Sequence, residues 1–169
     1  MNMEKFNEWQ RQEIEAGQKS GVDVSIYADP KYDEMQMWQI REGLEQNLDV
    51  SLYKDPQFDC FQMKMIKEGL EQGIDVSVYA DPKYDWTQMV ALARGVENGL
   101  DVSVYADPEY DYAQMCEIRE GLEEGLDVSL YADPKYDWEQ MKTLRKNLET
   151  QKDRPAVQLN KPTGKGLER

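Results

Sequence analysis

Residues 99–115 read Gly-Leu-Asp-Val-Ser-Val-Tyr-Ala-Asp-Pro-Glu-Tyr-Asp-Tyr-Ala-Gln-Met, and the stretch returns with small changes every 26 residues. Its Asp-Val-Ser core begins at Asp23, Asp49, Asp75, Asp101 and Asp127, and its proline stands at Pro30, Pro56, Pro82, Pro108 and Pro134. A fixed period of this length marks a repeat architecture, in which each unit is one supersecondary element stacked on its neighbours. Units starting near residues 6, 32, 58, 84, 110 and 136 assign residues 1–153 to one array. Residues 154–169, with Pro155, Pro162 and scattered charge, read as a flexible C-terminal tail.

Within each unit the start of a helix is signalled twice. Asp33/Gln36, Asp59/Gln62, Asp85/Gln88, Asp111/Gln114 and Asp137/Gln140, with Asn7/Gln10 at the head, are capping boxes. The acidic side chain accepts from an orphan amide of the first turn, and Gln reaches back to the cap residue's own N–H. An aromatic residue precedes each cap (Phe6, Tyr32, Phe58, Tyr84, Tyr110, Tyr136), and five residues after it stands Met37, Met63, Met89, Met115 or Met141, with Arg11 in the first unit. These are the two positions of a hydrophobic staple. From there Met37, Ile40, Leu44 and Leu48 fall on one face of a helix of about 14 residues. Gly or Asn at 21, 47, 73, 99 and 125 supplies the left-handed residue that ends it. The Asp-Val-Ser-x-Tyr segment that follows starts with another cap residue and stops before Pro, which leaves room for a short second helix only.

One apolar stripe per unit cannot be enclosed by that unit alone, so the spacing predicts an all-α fold, an α-solenoid of six repeats. The ends differ from the middle as terminal caps do: Arg11 and Gln18 replace apolar stripe residues in the first unit, and Lys152 replaces one in the last. Gly17, Gly43, Gly69, Gly95 and Gly121 lie inside the long helix, each at a cost of up to ~1 kcal/mol relative to Ala. Their position beside the stripe predicts close approach of a neighbouring backbone.

Composition narrows the function. The chain has 169 residues, 40% apolar and 32% charged, and a net charge of −14; it contains no His, so imidazole bases and ligands are excluded. Cys60 and Cys116 form no disulfide or zinc spacing, in keeping with a reducing compartment. With no apolar signal core at the N-terminus and no apolar run near the ~18 residues of a membrane span, the expected location is cytoplasmic, with no membrane association. The recurrent Asp residues are accounted for as caps rather than as catalytic or metal ligands. Residues Asp23–Asp29 lack the Gly of a calcium loop, and the Glu expected at its twelfth position occurs only as Glu34. No nucleotide loop, nucleophile elbow or dinucleotide fingerprint occurs, and the sequence predicts no catalytic site, no cofactor and no enzyme.

The acidity argues against direct nucleic-acid binding, because residues 1–151 carry −17 and residues 152–169 carry +3. If helices stack ~10 Å apart, the array presents one net charge per ~3 Å, about half the density of duplex DNA at one per ~1.7 Å. An acidic, DNA-mimic-like inhibitor of a DNA-processing or defence enzyme is therefore the alternative function. The preferred one is a protein-protein interaction scaffold that binds another protein or a second copy of itself. Positions equivalent to 35, 39, 42 and 46 are expected to point outward, and in the early units they include Trp9, Met35, Phe61 and Met65, an apolar ridge where polar residues belong.

The segments Tyr-Ala-Asp-Pro-Lys-Tyr-Asp-Trp-Glu-Gln-Met and Ile-Arg-Glu-Gly-Leu-Glu-Glu-Gly-Leu-Asp-Val-Ser resemble the short tandem helical repeats of uncharacterised proteins of gut Firmicutes, which are often borne on mobile elements. The resemblance covers nearly the whole array. It implies a mobile-element setting and carries over no activity and no site residue.

Overall fold

A computed structural model of the chain describes residues 2–152. It is an all-helical repeat solenoid, with no strand among the described residues. The long helices are α1 (Glu8–Ser20), α2 (Glu34–Glu45), α3 (Cys60–Glu71), α4 (Trp86–Glu97), α5 (Tyr112–Glu123) and α6 (Trp138–Lys152). Between them lie single 3-10 turns at Val24–Ile26, Val50–Leu52, Val76–Val78, Val102–Val104 and Val128–Leu130, and another, Met3–Lys5, precedes α1. Helices α2 to α5 have 12 residues each, shorter than the spacing suggested, because the cap and the closing residues lie outside the helical hydrogen bonds. The reading of residues 154–169 as a flexible tail falls outside the described residues.

The ends of the helices follow from the residues placed there. In α2 the Gln36 amide donates to Asp33 Oδ1 at 2.8 Å, and the Asp33 amide donates to Gln36 Oε1 at 2.9 Å. Asn47 closes the helix at φ 58°, with its amide bonded to the Leu44 carbonyl and the Leu48 amide to the Gly43 carbonyl. That pairing is the Schellman ending, and Gly21, Gly73, Gly99 and Gly125 occupy the same left-handed position.

Consecutive long helices pack against each other and run parallel. Their starts are tied by Gln10 to the Tyr32 carbonyl, their middles by Glu13 to Arg41, and their ends by Asn98 to Glu123. The tie at the start recurs at every interface. While Oε1 of the glutamine serves its own cap, Nε2 donates forward into the next unit: Gln36 to Phe58 O at 2.6 Å and Pro56 O at 3.2 Å, Gln62 to Tyr84 O and Pro82 O, Gln88 to Tyr110 O and Pro108 O, Gln114 to Tyr136 O and Pro134 O. The five glutamines that donate this way are all buried. Gln140 has the same cap geometry but stands exposed on the outer side of α6.

The core runs the length of the stack. Met37, Ile40, Met63, Ile66, Met89, Leu92, Met115, Ile118 and Met141 are fully enclosed, and Leu44, Leu70, Leu122 and Leu144 pack half-buried against them. Tyr27, Tyr53, Tyr79, Tyr105 and Tyr131, each from a 3-10 segment, are also fully enclosed. These tyrosines explain the internal glycines and correct the expectation of a neighbouring backbone. A Cβ on Gly43 would lie 1.8 Å from the Tyr53 hydroxyl, and one on Gly17 would lie 1.9 Å from that of Tyr27. In four of the five the hydroxyl crosses the glycine to bond the long helix of its own unit, Tyr27 donating to Glu13 O at 3.0 Å and Tyr131 to Glu117 O at 3.1 Å.

Three outcomes test this account. Gln88→Ala removes the glutamine half of a capping box and two bonds to the next unit, so it is expected to cost ~2–4 kcal/mol in urea titration, against ~1 kcal/mol or less for Gln140→Ala, which removes the half-box alone. Gly43→Ala should strongly lower the melting temperature, and Tyr53→Phe, which removes the clashing oxygen, should recover part of that loss. Burial pushes the Tyr27 hydroxyl up to about 12 and raises Tyr53, Tyr105 and Tyr131 as well. Ionisation then favours the unfolded chain, whose tyrosines titrate near ~10. The associated stability is complete below that pH and is lost as pH rises toward the folded value. Unfolding by circular dichroism should therefore accompany the rise of tyrosinate absorbance, without earlier ionisation of these four side chains.

Candidate functional site

The repeat provides its own control for finding a site. Positions required by the fold keep their residue type from unit to unit, the capping glutamine in all six and the buried tyrosine in five; variable, exposed apolar positions need another explanation. Three of the four ridge residues meet that description: Trp9 is 61% exposed, Met35 44% and Phe61 58%. All three occupy the second position of their helix. Met65 does not belong with them. It is half-buried against the core, and its counterparts Gln39, Ala91 and Glu117 are buried, so this position faces the next helix rather than solvent. Helices in a stack are covered on both flanks, which narrows the outward face to less than a single-helix projection suggests.

The line also extends further than the fixed-position reading allowed. From the fourth unit the exposed aromatic moves back by one residue, to Trp86, Tyr112 and Trp138 at the first helical position. The changeover is continuous in space, since the Phe61 and Trp86 rings lie 6.2 Å apart, tilted by 38°. Trp9, Met35, Phe61, Trp86, Tyr112 and Trp138 thus put one large exposed side chain on the first turn of every long helix. The signal was present in the sequence, as an aromatic one residue earlier in the later units. A second set of exposed apolar residues, Leu52, Val104 and Leu130, lies on the 3-10 turns.

Polar groups around the line are largely committed to structure. Asp23 accepts from the Ser25 hydroxyl and amide, and these bonds hold its carboxyl below the usual carboxylate range; Ser51 does the same to Asp49. Burial pushes the Cys60 thiol up, with the carboxylates of Asp33 and Asp59 adding to the effect, which works against a thiolate nucleophile. Between helices, Arg41 bonds Glu13 at 2.9 Å, Lys67 pairs with Glu42, and Arg145 gathers Glu117, Glu120 and Glu124 while also pairing with Glu149 of its own helix. Among the described residues no group of three or more potential metal ligands occurs, and no helix is long and apolar enough to cross a membrane.

Comparison with known proteins yields no match to any family model, curated protein or solved structure.

Proposed function

We propose that this protein is a non-enzymatic scaffold that binds another protein, or a second copy of itself, along the exposed line from Trp9 to Trp138. The observation that carries the reading is the joining of Phe61 to Trp86 across two units, which keeps the line unbroken where its position in the repeat changes. Large aromatics are the side chains that most often dominate binding energy in protein interfaces, and a folded chain gains nothing from exposing one per unit. The acidic array, −17 over residues 1–151, supports the second reading, an inhibitor that occupies a basic DNA-processing enzyme.

The two readings respond differently to salt. Contacts through the aromatic line should persist at about 0.5 M salt, where charge-driven contacts are screened. Phe61→Glu with Trp86→Glu is expected to abolish retention of the partner from the producing cells, and any self-association in sedimentation velocity, without changing the melting temperature, because exposed positions contribute little to folding. Retention that survives the double substitution and is lost in salt would instead favour the acidic inhibitor.

A further inference from the structure

The exposed line is not chemically uniform, and its first interface differs from the other four. Between the N-terminal halves of α1 and α2 lies a cleft of about 300 Å³ lined by Trp9, Glu13, Glu34, Met35 and Trp38. Resting on the scaffold reading above, we propose that this cleft receives a cationic side chain, the guanidinium or ammonium group of an arginine or lysine of the bound partner.

Indole faces attract cations through the ring quadrupole, and the attraction grows where carboxylates share a partly dehydrated site. Both components are present. Trp9 and Trp38 supply the rings. Glu34 is in no ion pair among the described residues, and Glu13 meets Arg41 through Oε2 alone. The fold already uses one of these rings in this way: Lys67, its charge matched by Glu42, stands 5.7 Å from the centre of Trp38.

The repeat again acts as a control. At the next interface the five lining positions hold Met35, Gln39, Cys60, Phe61 and Lys64, then Phe61, Met65, Trp86, Thr87 and Val90. The fourth interface has Thr87, Ala91, Tyr112, Ala113 and Cys116. No other interface combines two indoles with a free carboxylate, so packing does not impose the combination. The fifth interface shows the same groove with its cation built in. There Lys142 replaces the counterpart of Trp38 and stands 5.6 Å from the centre of the Trp138 ring, with Glu117 and Glu139 at two of the remaining positions. In the first interface an indole stands where that lysine does, so the lining itself holds no cation; Arg41 and Lys67 border it but are matched by Glu13 and Glu42, which leaves the Glu34 carboxylate outside any ion pair among the described residues.

The test uses the full chain and the blocked tripeptide acetyl-Gly-Arg-Gly-amide, with its citrulline counterpart as the neutral, equally planar control. The readout is the indole N–H signals of the four tryptophans in nitrogen-15 correlation spectra. Saturable shifts confined to Trp9 and Trp38 are expected with the arginine peptide and not with citrulline. Trp9→Ala and Glu34→Gln, both at sites whose loss leaves the core intact, should each weaken binding by about fivefold or more, read from Trp38. Parallel shifts of all four indoles, equal binding of the citrulline peptide, or no saturable shift would overturn the inference. If the peptide fails while Phe61→Glu with Trp86→Glu still abolishes partner retention, the cleft assignment falls and the scaffold reading stands.

Discussion

A single carboxamide holds this architecture together. The capping glutamine has one acceptor and two donor hydrogens, and the repeat uses both ends: the oxygen completes its own helix start, and the nitrogen binds two carbonyls of the following unit. Local and long-range order therefore share an atom group. A helix whose cap is unmade cannot dock its successor, and a successor out of place leaves a buried amide without its acceptors, at a cost larger than a net hydrogen bond. Glutamate could serve the cap but not the forward donation, which accounts for glutamine in the five boxes that face a following unit, Asn-x-x-Gln in the first and Asp-x-x-Gln in the next four, in a chain so rich in Glu.

The glycine and tyrosine pair works on the same principle in the other direction, from the 3-10 turn back to its own helix. Glycine weakens a helix in isolation. Here its missing side chain is the slot through which a phenol reaches a main-chain oxygen one turn earlier, and the buried ring more than offsets the loss. Both devices sit on the side of the unit that the neighbour or the short turn covers. The first turn of each long helix is thus left free to carry side chains unrelated to folding.

Much of this was legible in the sequence. The period, the caps, the left-handed closures at Asn47 and the glycines, and the all-helical class followed from local rules with known stereochemistry. The second half of the glutamine's role was not, because its acceptors are backbone carbonyls 20 and 22 residues onward that carry no side-chain signature. The glycines were read correctly as points of close approach, but the approaching group was misassigned; the constant ten-residue step from Gly17 to Tyr27 and from Gly43 to Tyr53 held that information. Met65 was misplaced because a helical projection gives directions about one axis and says nothing of which flanks a stack will cover. The exposed line was seen in its first half and missed in its second, where Trp86, Tyr112 and Trp138 are displaced by one residue from the position being followed.

The charges between helices make the units individually recognisable. Residues 28 apart meet across the first and last interfaces as Glu13 with Arg41 and Glu117 with Arg145. The same two positions hold Gln39 and Lys67, Met65 and Ala93, and Ala91 and Arg119 in between. Tandem genes gain and lose whole repeats by unequal exchange, and an array of identical units would tolerate this freely. Excising residues 58–83 would keep every cap and closure in phase, yet it would set the buried Gln39 opposite Ala93 and take away Lys67, the ion-pair partner of Glu42. The six units are thereby not interchangeable at their interfaces, although their caps and closures would fit in any order.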